Sequence, residues 1–111
     1  MLDKKKFYIN GQWIAPIEPR NYKVIDPSKE EPCAEISLGG KKDVSKAVSA
    51  AKKAFESWAF TSKEERLELL EKLYVIYKKR WAEMAKLISL EMGAPINFST
   101  EMQAATGASH I

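Results

Sequence analysis

The sequence predicts an α+β fold, mostly helical, with short strands first and helices after them. Three observations carry this. An aromatic and β-branched run flanks Asn10-Gly11, the dipeptide best suited to a two-residue hairpin turn. The hydrophobic period changes from 2 to 3.6 after Gly39-Gly40. Beyond that point, Ser62 and Glu65 form a capping box ahead of a long leucine-rich stripe.

Residues 1–40 read as β-hairpins. "FYINGQWIA" is the first, "IEPRN" a loop, and "YKVID" and "CAEISL" an alternating pair turned by "PSKEEP". Two such hairpins are only marginally stable alone and need something to pack against. Residues 43–58 read as a helix with Asp43 as N-cap or first-turn acid. Val44, Ala47, Val48, Ala51, Ala54, Phe55 and Trp58 fall on one face, opposite Lys46, Lys52, Lys53 and Glu56. The alanines on that face permit close approach to a neighbour.

Residues 62–92 read as one long helix of about 45 Å at 1.5 Å per residue. Its stripe holds Leu70, Leu73, Tyr74, Tyr77, Trp81, Met84, Ala85 and Ile88, and Leu69, Val75, Ile76 and Leu87 widen it beyond what one neighbour requires. A globule of this length has a radius of gyration of about 13 Å and cannot easily bury both sides of such a rod. Gly93 is placed as a left-handed C-cap, and Pro95 stops the helix. Residues 99–111 then read as a third helix, capped by Ser99, weakened by Gly107 and truncated at Ile111 with no closing signal.

The composition excludes several classes. Eighteen basic and fifteen acidic side chains leave a formal charge of +3, interleaved rather than gathered, so no nucleic-acid partner is expected. The opening lysines precede no apolar run of signal-peptide length, and no stretch approaches the ~20 apolar residues of a membrane span. With the single Cys33, this points to a soluble, cytoplasmic protein.

The chemistry of sites is sparse. Gly39-Gly40 is a lone pair without phosphate-loop spacing. His110, the only histidine, has no second ligand or catalytic partner in view, and Cys33 lies in a strand-like run where packing explains it. Glu64 and Glu65 suit a helix first turn; Glu30 and Glu31 are a second acidic pair. Tyr74, Tyr77 and Trp81 lie on the leucine stripe and read as core or interface rather than a base-stacking platform. No catalytic, cofactor-binding or metal-binding residue is assigned.

The order "YINGQW", "VIDPS", "DVSKAVSAAKKAFESW", "ERLELLEKL" and "LISLEMGAP" resembles the N-terminal quarter of the NAD(P)-dependent aldehyde dehydrogenases, from Phe7 to about Pro95 with a looser continuation to Ile111. The resemblance implies an α/β parent whose Rossmann-like cofactor domain begins with this stretch, its helices lying on a sheet encoded downstream. It implies NAD or NADP in the full-length parent and no cofactor on this chain. The nucleophilic cysteine, glutamate base and oxyanion-hole asparagine would lie beyond Ile111, and Cys33 does not match the nucleophile's motif. Such a parent would oxidise an aldehyde to a carboxylic acid through a thioester, and the fragment alone is expected to be inactive. A monovalent-cation site of some relatives would map to Val24 and Glu91, where the family more often has aspartate, and no metal is assigned. Expected partners are the remainder of its own chain and further copies, paired through the stripe of Leu70, Tyr74, Tyr77 and Trp81. The alternative is a self-sufficient helical adaptor module.

Overall fold

Gly39 and Gly40 mark the change from strand to helix in the computed structural model, which describes residues 1–111. The order is β1 (Leu2–Lys4), β2 (Phe7–Ile9), β3 (Gln12–Ile14), β4 (Asn21–Asp26), β5 (Glu31–Ser37), α1 (Lys41–Trp58), α2 (Lys63–Lys79), α3 (Trp81–Met92), α4 (Ile96–Phe98), a π-helical stretch (Ser99–Gln103) and α5 (Ala104–Ser109). The chain divides into two compact units, Met1–Ile25 with Pro32–Phe60, and Asp26–Glu31 with Thr61–Ile111.

In the first unit, β2 and β3 form the Asn-Gly hairpin. Asn10 and Gly11 both have positive φ, 54° and 74°, as a type I′ turn demands, and Tyr8 lies opposite Trp13. A second sheet has the order β1-β5-β4. Here the hairpin-only expectation is corrected: β1 is a parallel edge strand, with Leu2 opposite Ala34 and Lys4 opposite Ile36. Lys5 Nζ fixes this edge by reaching Asp3 at 3.1 Å and Glu35 at 2.9 Å. A three-residue strand of one apolar and two charged side chains carries no alternation to read, so its pairing is visible only in the fold.

Helix α1 begins two residues earlier than expected. Gly40 is the N-cap, and Asp43 is the first-turn acid rather than the cap. One carboxylate oxygen accepts the Gly40 N–H at 2.9 Å and the other the Ile17 N–H at 2.8 Å. These two amide donors hold the Asp43 carboxyl below its ordinary value near 3.8.

In the second unit, the Asp26–Glu31 turn is closed by Asp26. Its Oδ1 accepts the Ser28 hydroxyl at 2.6 Å and the Ser28 N–H at 2.9 Å, which lowers the Asp26 pKa. The Ser62–Glu65 capping box is present with both reciprocal bonds, at 3.1 and 2.8 Å. The expectation of one helix over residues 62–92 is corrected. Arg80, at φ −101° and ψ 10°, leaves helical geometry and separates α2 from α3. The rod becomes two pieces of about 25 and 18 Å. Arg80 and Glu83 form a two-bond pair at 2.7 and 2.8 Å across the break.

The last segment also departs from expectation. It starts at Ile96 with Pro95 as N-cap, and Ser99 lies inside it, fully buried. Ser99 therefore does not cap; its hydroxyl meets Gln103 Oε1 at 3.2 Å. The Ala104 N–H bonds the Ser99 carbonyl, one residue beyond α spacing. That releases the Thr100 carbonyl, which accepts the Trp81 indole N–H at 2.9 Å, and the Tyr77 hydroxyl donates to the Ala104 carbonyl at 2.8 Å. The two rings meet edge to face, 6.0 Å between centroids. Both aromatic donors beside the Arg80 break and the widened turn at residues 99–103 thus find carbonyl partners.

Candidate functional site

Within each unit the chemically suggestive residues do not converge. Cys33, half-buried on β5, points its Sγ at the Val24 carbonyl, 3.4 Å away. It sits on a strand, away from the helix N-termini that activate thiols. His110 is exposed, with Nδ1 2.7 Å from the Thr106 carbonyl oxygen at the end of α5. Glu91 is exposed on the last turn of α3, and Val24 lies on β4. No group of three or more His, Cys, Asp or Glu side chains gathers anywhere. Glu65 is committed to the Ser62 cap, whose N–H lowers its pKa, and Glu30 occupies a turn at φ 57°.

The one helix N-terminus preceded by glycines is closed to a phosphate. Gly40 N–H, which would face an anion at the start of α1, already donates to Asp43 Oδ2. The Asp43 carboxylate, held in its charged form by the Ile17 and Gly40 amides, puts negative charge at that helix start.

What the structure does present is apolar surface. Every buried apolar residue is an alanine: Ala34, Ala85, Ala94 and Ala104. In the first unit a groove between the hairpin and α1 is lined by Phe7, Tyr8, Trp13, Val44 and Ala47. The Tyr8 and Trp13 rings stand 5.3 Å apart, tilted by 55°. The turn length alone foretells this pair, because a two-residue loop sets residues 8 and 13 opposite each other. Along α1, Val44, Phe55 and Trp58 stay exposed, so the close neighbour expected from its alanines is only partly present in the hairpin.

In the second unit, α2 buries no residue completely. The stripe expected to pair copies divides. Leu70 and Tyr74 are exposed, whereas Tyr77 and Trp81 are half-buried, turned toward the final helical segment by their hydrogen bonds. Leu69, Leu73 and Ile76 form a separate exposed row, and a shallow groove continues it to Met84 and Leu87.

Comparison with known proteins relates this arrangement to larger ones. Residues 13–111 match the model of the aldehyde dehydrogenase family. A 3-succinoylsemialdehyde-pyridine dehydrogenase from a Pseudomonas species is 43% identical over 111 residues, covering 99% of this chain and 23% of the relative. The crystal structure of an aldehyde dehydrogenase from Bartonella henselae superposes with a TM-score of 0.97 at 57% identity, over 99% of this chain and 23% of that one. Aldehyde dehydrogenase C of Pseudomonas syringae, solved with NAD+ and octanal, gives 0.93 at 40% identity over 96% and 22%. The chain thus spans about a quarter of the length of the relatives it matches.

Proposed function

This chain belongs to the aldehyde dehydrogenase family, and from that premise we propose that it serves as the N-terminal part of the cofactor-binding domain of an enzyme oxidising aldehydes to carboxylic acids with NAD or NADP. The observation that carries the reading is the match over residues 13–111 with relatives about four times as long. When bound, the nicotinamide group supplies the hydride acceptor. The residues that hold it and the residues that attack the aldehyde belong to sequence outside these 111 residues. What this chain contributes is shape: helix faces and a hairpin groove that cover a larger body. By itself it is inactive, because Cys33 is aimed at a backbone carbonyl and His110 stands alone at a helix end. No helix is long and apolar enough to cross a membrane. The lone unpaired cysteine favours a reducing, cytoplasmic setting.

The test is fusion. The 111 residues are joined to the downstream three quarters of the Pseudomonas relative, and formation of reduced nicotinamide is followed with an aldehyde. The fusion is expected to turn over and the chain alone to give none. A soluble, folded but inactive fusion, beside an active intact relative, would overturn the proposal.

A further inference from the structure

We infer that the sequence directly following Ile111 in the enzyme proposed above continues α5 for about two turns and fills the groove of Leu67, Leu70 and Tyr74 on α2. The inference rests on that functional reading and adds to it which segment covers this particular face.

The register of the last helical segment is the first support. The Thr100 carbonyl meets Trp81, the Ala104 carbonyl meets Tyr77, and Gly107 lies against the Tyr77 hydroxyl. Ile111 then lines a groove together with Leu67, Leu70, Glu71, Tyr74 and Val75. Each advance toward Ile111 is matched by a similar retreat along α3 and α2, as in two antiparallel helices.

The inward face is the second. Ala104 is buried and Ala108 and Ile111 are half-buried, at helical intervals of four and three. The same step carries the fourth and seventh residues after Ile111 over Leu67 and the first turn of α2. Leu67, Leu70 and Tyr74 are 47%, 44% and 40% exposed there, so both residues are expected to be apolar. From Leu70 back to Lys63, where α2 begins, the rise is about 11 Å, the length of two helical turns.

The position of Ile111 identifies the occupant. Ile111 stands in the groove itself, so residues joined to it reach Leu67 and Leu70 at high effective concentration. A second copy would have to enter beside that outgoing chain.

The experiment compares the 111-residue chain with the same chain extended by the ~8 residues that follow the matching position in the Pseudomonas relative. Circular dichroism checks folding, urea gives the midpoint, and amide exchange is read at His110 and Ile111. The extension is expected to raise the midpoint and slow both amides roughly tenfold. Leu67→Ala and Leu70→Ala should each remove most of that gain, and Leu69→Ala, on the other row of α2, should leave it. Unchanged exchange at Ile111, or a gain that survives Leu67→Ala together with Leu70→Ala, overturns the inference. So does a gain that disappears on dilution, the sign of a second copy in the groove. An active full-length fusion beside an extension without effect would sink this inference alone; an inactive fusion beside the full gain would sink only the functional reading.

Discussion

Gly107 shows how one position can invert an ordinary rule. In a helix interior, replacing glycine with alanine is worth roughly 0.5–1 kcal/mol of stability. Here a Cβ on Gly107 would overlap the Tyr77 hydroxyl and lie 2.8 Å from the ring carbon that bears it. The ring would swing out and release the Ala104 carbonyl. Gly107→Ala is therefore expected to lower stability by about 1 kcal/mol or more, read as a lower urea midpoint. The sequence marks Gly107 only as a helix weakener; its real reason is a phenol thirty positions away. Gly93 is the opposite case. Its place after the last apolar turn predicts the left-handed φ of 74°, and only the fold adds that Pro27 Cγ would be 2.7 Å from any Cβ. The acids give a pH prediction. Asp26, Asp43 and Glu65 all have lowered pKa values in the fold, through Ser28, through the Ile17 and Gly40 amides, and through Ser62. Their stabilisation is complete above the ordinary values near 3.8 and 4.5 and is lost as pH falls through the lower folded values. Thermal melting followed from pH 7 to 3 should be flat to about pH 5 and then fall. An unchanged midpoint at pH 3 would remove the role given to these carboxylates.

Elements were readable in proportion to how locally their causes lie. The Asn-Gly hairpin, the Ser62–Glu65 box and the Gly93 stop each depend on residues within four positions, and each formed as expected. The break at Arg80 and the π-helical stretch depend on partners far apart in sequence. Nothing at Arg80 resembles a breaker; there is no glycine or proline. Beside the break, the donors on Tyr77 and Trp81 reach carbonyls 27 and 19 residues downstream, partners that spacing along the chain does not reveal. Trp81→Phe keeps the ring and removes the N–H. It should lower stability by about 1 kcal/mol and let the Ala104 amide move from the Ser99 to the Thr100 carbonyl. Nuclear magnetic resonance of the Ala104 amide, with its hydrogen exchange, reads that move. The Ser99 expectation failed for a related reason. A serine before a periodic run fits a cap equally well by pattern, but Pro95 had already started the helix one turn earlier, and Ser99 turned inward.

At the scale of the molecule, surface is the decisive quantity. The chain exposes 8748 Å². A compact monomer of 12.6 kDa is expected to expose about 6,200 Å². Large apolar side chains make up much of the difference, from Val44 and Phe55 to Leu73 and Ile76, and alanines are the only apolar residues buried. Such a chain exposes little new surface when it unfolds. Its urea m-value as an isolated monomer should accordingly be well below that of a compact 111-residue domain, near the bottom of the ~1–3 kcal/mol/M range. An m-value in the upper half of that range would mean the apolar faces are covered in solution.

The sequence by itself determined the passage from strands to helices, the Asn-Gly turn, the Ser62–Glu65 box, the Gly93 stop and the excess of apolar surface, because these arise from side chains acting on their own backbone or from simple totals. The tertiary structure alone decided the parallel edge strand, the bend at Arg80, the widened turn at residues 99–103 and the filling of the α1 N-terminus by Asp43. Each involves partners far apart along the chain, such as β1 with β5, Trp81 with Thr100 and Asp43 with Ile17, whose neighbourhood in space leaves no trace in their spacing.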